Sequence, residues 1–537
     1  MVISMRGRMP SLLSMLLLLL LSPWGMANAS LEAGLQLLSN SSFDKKSIAI
    51  GHLVESGDPK TIKLLQAMSL GQLYYIKADK RIVLAERLEN GYRIRDALSD
   101  EALGEVDSRK IRKVSINNNL RSQLTEVLAE LQIGAPDADV RRNALESMLG
   151  DVDSQRLPLL RKRAAAETDA NIKELLGVAI ALARLDNPDA GIRLNALNVF
   201  DGSLYPAVRN RVLPVANEDP SAEVRKAAAK VLASIDAKVS LFGYLETLFF
   251  GISLGSVLIL AGIGLAITFG VMGVLNMAHG ELIMIGAYTT YVVQLLMPDA
   301  IEYSLLVAVP AAFVVSGLVG IGIERGVIRF LNGRPLETLL ATFGLSLILQ
   351  QAVRSIFSPL NRSVETPQWM SGAWEINSIF SLTLNRLYIV VFCLLVVVLL
   401  QLILKRTRLG LQVRAVAQNR QMARAMGVRS EWIDAMTFGL GSGVAGIAGV
   451  ALSQLTNVGP NLGQAYIIDS FMVVVFGGVG NLWGTVVAGL SLGIANKVME
   501  PWAGAVLAKI LVLVFIILFI QKRPRGLFPQ KGRAAEG

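Results

Sequence analysis

The sequence predicts a mainly α-helical protein, in which a polytopic membrane bundle of about eight to nine crossings follows a secreted helical-repeat domain with a small β-hairpin. The chain of 537 residues is 53% hydrophobic, with a mean hydropathy of +0.50, which is too apolar for an ordinary soluble protein of this size. From Leu241 onward, apolar runs recur with the length of about 20 residues that crosses ~30 Å of hydrocarbon. Residues 30–240 instead carry nearly equal numbers of basic and acidic side chains, as a soluble domain does.

Residues 1–29 have the features of a signal peptide. Arg6 and Arg8 precede the short apolar run Leu12–Leu21, and the small residues Ala27 and Ala29 follow. A basic start, a short apolar core and a small-x-small end are typical of secretory signal peptides. An uncleaved anchor is the alternative. Either one would carry the following residues into the periplasm, if the membrane is a bacterial inner membrane.

Residues 30–116 read as a periplasmic α+β segment. Two strand-like stretches, Leu73–Ile76 and Ile82–Ala85, are separated by the turn-prone residues Lys77–Lys80. A small β-hairpin is expected there, with helical patterns on both sides.

Residues 117–240 contain four segments that begin alike. Each has an Asp or Ser where it can cap a helix, an apolar residue three positions later, and another residue of the same face four positions further on. The segments are residues 136–141, 168–173, 188–193 and 220–225. Such a pattern resembles HEAT-type repeats, in which each helix pair buries its apolar face against its neighbours. A periplasmic HEAT-like domain for binding or docking is therefore expected.

Residues 241–521 form the predicted membrane domain, and residues 522–537 a basic cytoplasmic tail. The candidate spans are residues 245–270, 279–298, 304–324, 336–357, 386–404, 434–456, 466–479, 484–499 and 503–521. Between Lys405 and Ser430 there are seven basic residues and no acidic one, so this loop and the tail are expected in the cytoplasm. A periplasmic start and a cytoplasmic end require an odd number of crossings: nine, or seven if the region near Gly477 re-enters.

The basic loop is the most informative feature of the membrane domain. Residues Arg414–Gly427 are expected to form one short helix with Ala415, Met422 and Met426 on a common face. One interpretation is a loop resting on anionic lipid. The other is a rigid helix that docks on a cytoplasmic ATPase and transmits its movement, with Gly427 turning the chain.

Several function classes are disfavoured by the sequence. One cysteine and two histidines offer no metal-ligand cluster. The sequence also shows no nucleophile–base pair that would indicate an enzyme. The basic charge lies beside apolar runs, which argues against nucleic-acid binding. The glycine block of Gly477–Gly484 lacks the Lys-Ser/Thr of a phosphate-binding loop, so its glycines are interpreted as helix-packing residues. These are Gly477, Gly478, Gly480 and Gly484. No cofactor is expected on this chain, and any ATP would be hydrolysed by partner subunits.

Three motifs in order resemble the branched-chain amino-acid-type permeases of ABC transporters. They are Gly273–Glu281 with Met284–Tyr288, then Ala415–Arg420 continuing to Ala423 and Gly427, and then Gly477–Gly484. The resemblance covers about residues 240–525. It implies that the basic loop couples to the ATPase. The residues that match this coupling loop are Arg414, Ala415, Ala417, Gln418, Asn419, Arg420, Ala423 and Gly427.

Within that family the chain most resembles urea permeases, through residues 336–354, Asn361, Pro367, Trp369 and the long N-terminal extension. The resemblance implies a second, homologous permease, two cytoplasmic ATPase subunits and a periplasmic substrate-binding protein, around a multi-pass inner-membrane chain.

Few charges fall deep inside the predicted spans, which favours a small neutral or zwitterionic solute over proton pumping. Urea is the predicted solute. A branched-chain amino acid is the alternative, and a membrane sensor is a third interpretation. Polar side chains of two spans are candidates for the translocation path, or else they form hydrogen bonds between helices or anchor helix ends. They are Asn276, His279, Glu281, Thr342, Ser346 and Gln350, with Gln351 beside them.

Overall fold

The computed structural model describes residues 31–528 except 57, 59, 89, 90 and 332. The predicted signal peptide and residues 529–537 of the predicted tail lie outside this range. The chain divides into two compact units, Met1–Asp236 and Ala237–Gly537. The first is here called the N-terminal unit and the second the membrane unit.

The N-terminal unit begins with helices and a five-stranded antiparallel sheet of order β4-β3-β2-β1-β5. Residues 31–38 are helical, followed by α1 (Phe43–Glu55) and α2 (Lys60–Ser69). The strands are β1 (Leu73–Ile76), β2 (Ile82–Leu88), β3 (Gly91–Asp96), β4 (Ala102–Val106) and β5 (Ile111–Lys113). Strands β1 and β2 form the predicted hairpin, with Tyr74 opposite Val83. Strand β3 alternates the apolar Tyr92 and Ile94 with arginines, a strand signal that the sequence analysis missed, whereas β4 and β5 are short and show little apolar alternation.

Helices complete the N-terminal unit. They are α3 (Asn118–Ile133), α4 (Ala138–Met148), α5 (Leu157–Ala166), α6 (Ala170–Arg184), α7 (Ala190–Asn198), α8 (Pro206–Glu218) and the start of α9 (Ala222–Met272). The predicted caps are present at three of the four segments. The side chains of Asp137, Asp169 and Asp189 accept hydrogen bonds from the backbone N–H groups of α4, α6 and α7.

Two ion pairs reveal the true length of the sequence repeat. Arg141 forms two hydrogen bonds with Glu167, and Arg193, 52 positions later, forms the same two with Asp219. Each arginine also donates to two backbone carbonyls just before its own helix. The sequence Asn-Ala-Leu recurs at the same offset, at positions 143–145 and 195–197. The repeat is therefore three helices long, with two of the four predicted segments in each copy.

The membrane unit contains six helices that are long and apolar enough to cross a membrane, among the described residues. They lie in Ala222–Met272, Pro298–Gly326, Pro335–Phe357, Leu384–Arg406, Ser430–Ser453 and Leu482–Lys522. The predicted count of eight to nine crossings is not confirmed by these helices and stays a prediction. The eighth and ninth predicted spans are joined in one helix that kinks at Gly504.

Ten helices of the described range belong wholly or partly to the membrane unit. After α9 come α10 (His279–Leu296), α11 (Ile301–Gly326), α12 (Pro335–Phe357), α13 (Leu384–Arg406), α14 (Arg408–Gln418), α15 (Arg420–Ala425), α16 (Ser430–Ser453), α17 (Leu462–Gly477) and α18 (Leu482–Lys522). Strands β6 (Ala373–Glu375) and β7 (Ser381–Thr383) form a hairpin before α13.

Helix α16 lies at the centre of the bundle and is almost completely buried. Its glycines meet the backbones of neighbouring helices: Gly441 abuts Gly264 of α9, and Gly446 abuts Gly286 of α10. A Cβ atom at these positions would collide with backbone atoms of the facing helix. Close backbone approach of this kind increases dispersion contacts between membrane helices.

Candidate translocation site and basic loop

Helix α10 begins inside the bundle. The Nε2 atom of His279, its first residue, lies 2.9 Å from the backbone oxygen of Ala261 in α9. Ala261 precedes the end of α9 at Met272 by three turns, about 16 Å along the helix. Residues 273–278 therefore return into the bundle before α10 starts. His279 is fully buried within the bundle.

A second short helix meets α10 at this depth. Gly280 of α10 and Gly463 of α17 are each the second residue of their helix, and each backbone fills the space that a Cβ of the other would need. The N-terminal ends of two short helices thus come together in the membrane unit. Several backbone N–H groups of these ends are already bonded, because those of His279 and Glu281 donate to the carbonyls of Asn276 and Ala278, and that of Leu462 donates to Gly459.

The predicted path residues come together around the start of α10. Thr342, Ser346 and Gln350 lie on one buried face of α12 at four-residue spacing. The Ser346 hydroxyl donates to Glu281 Oε1 at 3.0 Å, and the backbone N–H of Met277 donates to Thr342 Oγ1 at 3.2 Å. Gln351 is exposed on the other side of α12 and does not join this group.

Several of these buried polar groups have an atom without a hydrogen-bond partner among the described residues. They are Asn276 Nδ2, His279 Nδ1, Glu281 Oε2 and Gln350 Nε2. A buried polar atom without a partner costs about 1–3 kcal/mol. Four such atoms, on α10, on α12 and in the segment just before α10, indicate a polar site rather than ordinary helix packing.

The basic loop forms two helices instead of the single predicted one. Helix α14 ends at Gln418, and the extended backbone of Asn419 starts α15, whose Met422 N–H donates to the Asn419 side chain. Asn419 is a good helix cap and a poor interior residue, which explains the break. Gly427 turns the chain with a φ of +86°, as predicted.

One ion pair fixes this loop to the bundle. The Arg420 guanidinium donates two hydrogen bonds, of 2.6 and 2.9 Å, to the Asp434 carboxylate of α16. Asp434 is buried, with 4% of its side chain exposed. The sequence analysis missed Asp434, although an acidic residue at the start of a predicted span is a recognisable signal.

The loop has one face buried on the bundle and another exposed. Val413, Val416 and Ala423 pack with Ile433 of α16. Leu411, Met422 and Met426 are exposed by 61%, 61% and 79%. The predicted contact residue Ala423 therefore faces inward, and Ala415 and Ala417 are half-buried, while Gln418 is exposed. Arg414 donates to the backbone oxygen of Leu404 at the end of α13.

The glycine block joins the end of α17 to the start of α18. Gly477 and Gly484 are in backbone contact, and the backbone N–H of Phe528 donates to the oxygen of Gly477 at 3.1 Å. Gly478 and Gly480 have φ values of +103° and +76°, which glycine adopts without strain. The block packs helices, and it also holds the chain near residue 528, which the sequence analysis did not anticipate.

Comparison with known proteins adds sequence relatives to this geometry. A family model described as the permease component of branched-chain amino acid transport systems matches residues 247–520. The high-affinity branched-chain amino acid transport system permease protein LivH of Escherichia coli (strain K12) is 31% identical over 294 residues, which are 53% of this chain and 95% of the relative. The corresponding protein BraD of Pseudomonas aeruginosa is 30% identical over 297 residues, 53% of this chain and 96% of the relative. No solved structure matches the chain.

Proposed function

The chain belongs to the family of permease components of branched-chain amino acid transport systems, and we propose that it is the translocation subunit of an ATP-driven importer of a small uncharged or zwitterionic solute. The observation that carries the solute class is the polar site at the start of α10. Its hydroxyl, amide and imidazole groups suit a solute that forms hydrogen bonds. Its one carboxylate, Glu281, is bound by Ser346 rather than by a cation.

Two solutes are candidates. A branched-chain amino acid comes first because the relatives of known function carry that name. Urea comes second. It is favoured by the neutral face of Thr342, Ser346 and Gln350, and by an extension before residue 247 that the family model does not cover.

Uptake in a strain that lacks only this gene separates the two solutes. Radiolabelled leucine and urea are measured in the deletion strain and after complementation with the full chain. Restored leucine uptake supports the first candidate, and restored urea uptake the second. If neither solute depends on the chain, both assignments are wrong.

The basic loop is proposed to couple the permease to its ATPase. Leu411, Met422 and Met426 form an exposed apolar face that a partner subunit can cover, and the Arg420–Asp434 pair joins the same loop to the central helix α16. A displacement of the loop would thus be transmitted directly to α16. The proposed complex also contains a second permease, a substrate-binding protein and two ATPase subunits, with the loop in the cytoplasm and residues 30–240 in the periplasm.

A pair of neighbouring substitutions tests this docking face. Met422→Glu places a charge on the exposed face and is expected to prevent ATPase co-purification while the permease still folds. Ala423→Glu places the charge in the buried contact between the loop and α16, so it is expected to lower the yield of folded permease as well. Normal ATPase binding by Met422→Glu, with wild-type yield, would remove this face from the coupling mechanism.

A further inference from the structure

A cavity of about 220 Å³ lies between helix α14 of the basic loop and helices α9 and α13. Its walls are mostly apolar and include Ile267 and Val271 of α9, Leu404 of α13, and Val413 and Ala417 of α14. The volume is below the roughly 300–1,000 Å³ of sites that enclose a whole drug-sized ligand. The cavity therefore suits part of a larger, mostly apolar molecule.

Two basic side chains line the same cavity. Lys405 is the next-to-last residue of α13, and Arg414 lies in α14 with one guanidinium nitrogen bonded to the Leu404 carbonyl. Within the described part of the chain, neither forms an ion pair with a carboxylate. Arg420 and Arg329 of this region are paired, with Asp434 and Glu431, whereas Arg406, Arg408 and Arg429 form no ion pair in the described structure but do not line the cavity. The cavity thus combines an apolar interior with two cations that have no anionic partner.

The cavity lies at the end of a helix whose exposed side is apolar. Helix α13 has the highest hydropathy of the candidate spans and exposes Leu395, Leu399 and Leu402 along one side. Its apolar part ends at Lys405, so Lys405 marks the level where hydrocarbon gives way to lipid headgroups. A lipid beside α13 would bring its phosphate to this level and its acyl chain to the level of Leu404.

We propose that this cavity binds one anionic phospholipid, with the phosphate between Lys405 and Arg414 and the adjoining part of an acyl chain in the cavity. Two cations at one site favour a headgroup with net negative charge over a zwitterionic one, whose own cation they repel. The bound lipid contacts both α13 and α14 and so stabilises the position of the loop. This site does not depend on the transported solute or on which side of the membrane the loop faces.

Lipid retention by the purified full chain tests the site. The protein is incubated with equal amounts of phosphatidylglycerol and phosphatidylcholine in detergent, and bound lipid is measured by native mass spectrometry. Wild type is expected to retain one phosphatidylglycerol in preference to phosphatidylcholine. Lys405→Gln, which removes one cation and no intramolecular bond in the described structure, is expected to reduce this retention about fivefold.

Two further variants make the result decisive. Ala417→Leu fills the cavity without changing charge and is expected to reduce retention of phosphatidylglycerol as well. Arg429→Gln removes a basic residue of the same loop that does not line the cavity, and it is expected to bind like wild type. Equal retention of the two lipids by wild type, or the same loss in Arg429→Gln as in Lys405→Gln, would overturn the proposal. If Ala417→Leu does not fold, the comparison of Lys405→Gln with Arg429→Gln decides alone.

Discussion

The helices of the N-terminal unit are joined by charged side chains, whereas those of the membrane unit are joined by glycine backbones. In the N-terminal unit, Arg193 of α7 donates hydrogen bonds to Asp219, the residue that follows α8, and also to the backbone carbonyls just before α7. In the membrane unit, Gly286 lies against Gly446 with no side chain between them. The two units therefore use different chemistry for the same task of fixing one helix against the next.

The solvent explains this difference. In water, apolar burial drives helices together, and bidentate ion pairs then select their register. In lipid, apolar burial gives no drive between helices, because acyl chains are as apolar as leucine. Association then depends on close packing, for which small residues are needed. Substitutions at the two kinds of contact should consequently fail in different ways.

The largest effect is expected from Gly286→Leu. The leucine side chain would collide with the backbone of Gly446 and separate α10 from the central helix α16. We expect almost no monodisperse protein by size-exclusion chromatography of a fluorescent fusion. Gly322→Leu, at an exposed position of α11 with open space around it, serves as the matched control. Equal yields of the two variants would show that backbone contact at Gly286 is dispensable.

A large effect on transport is expected from Arg420→Ala, because the membrane unit does contain one buried bidentate ion pair. Removing the arginine leaves the buried Asp434 carboxylate unpaired, which is strongly destabilising. We expect solute uptake to fall at least about tenfold. Arg429→Ala, which removes an exposed arginine without an ion pair in the described structure, should leave uptake near wild type.

The exchange of the two charges provides the decisive comparison. Arg420→Asp combined with Asp434→Arg keeps an ion pair of reversed polarity between the loop and α16. Partial recovery of uptake relative to Arg420→Ala would show that the link itself matters. No recovery, with normal yield, would indicate that Arg420 serves another contact.

A moderate effect is expected from Arg193→Ala in the N-terminal unit. Asp219 would lose two charge-assisted hydrogen bonds, which together contribute about 2–3 kcal/mol to the free energy of unfolding. Pulse proteolysis of the full chain in urea measures this loss. Arg209→Ala breaks the exposed pair with Asp236 and should change stability much less. Similar losses in both variants would mean that burial of the pair is unimportant.

The smallest effect is expected from lowering the pH. The hydrogen bond from Arg193 holds the pKa of Asp219 below its usual value, and burial opposes this only in part. A carboxylate with a lowered folded pKa stabilises the fold above its ordinary pKa, and this contribution is lost as the pH falls through the folded value. Proteolysis of the N-terminal unit should therefore accelerate below about pH 4. Asp219→Asn should weaken that pH dependence, and an unchanged profile would contradict the assignment.

Local chemistry made much of the fold predictable. Asp137, Asp169 and Asp189 cap helices where the sequence placed the caps, because a cap depends on residues only two or three positions away. The β1–β2 hairpin was predicted for the same reason. Strands β3 to β5 were not: the alternation of Tyr92 and Ile94 with arginines in β3 was overlooked, and β4 and β5 are short, so their pairing depends on partners elsewhere in the sheet.

The candidate site was predictable only as a set of residues. Polar side chains inside apolar spans are conspicuous, so Glu281 and Ser346 were both selected, but their hydrogen bond joins positions 65 residues apart. The inward orientation of Ala423 was likewise hidden, because it depends on Ile433 and on the Arg420–Asp434 pair after the loop folds back.

The sequence by itself determined that this chain is a multi-pass membrane permease, since apolar run length and family motifs are properties of consecutive residues. Tertiary structure alone decided the depth at which α10 begins. The sequence placed the start of this span at residue 279, but nothing local distinguishes a helix that starts at the membrane surface from one that starts within the bundle. That choice depends on the contacts of His279 with Ala261 and of Gly280 with Gly463, which exist only when three separate helices are packed together.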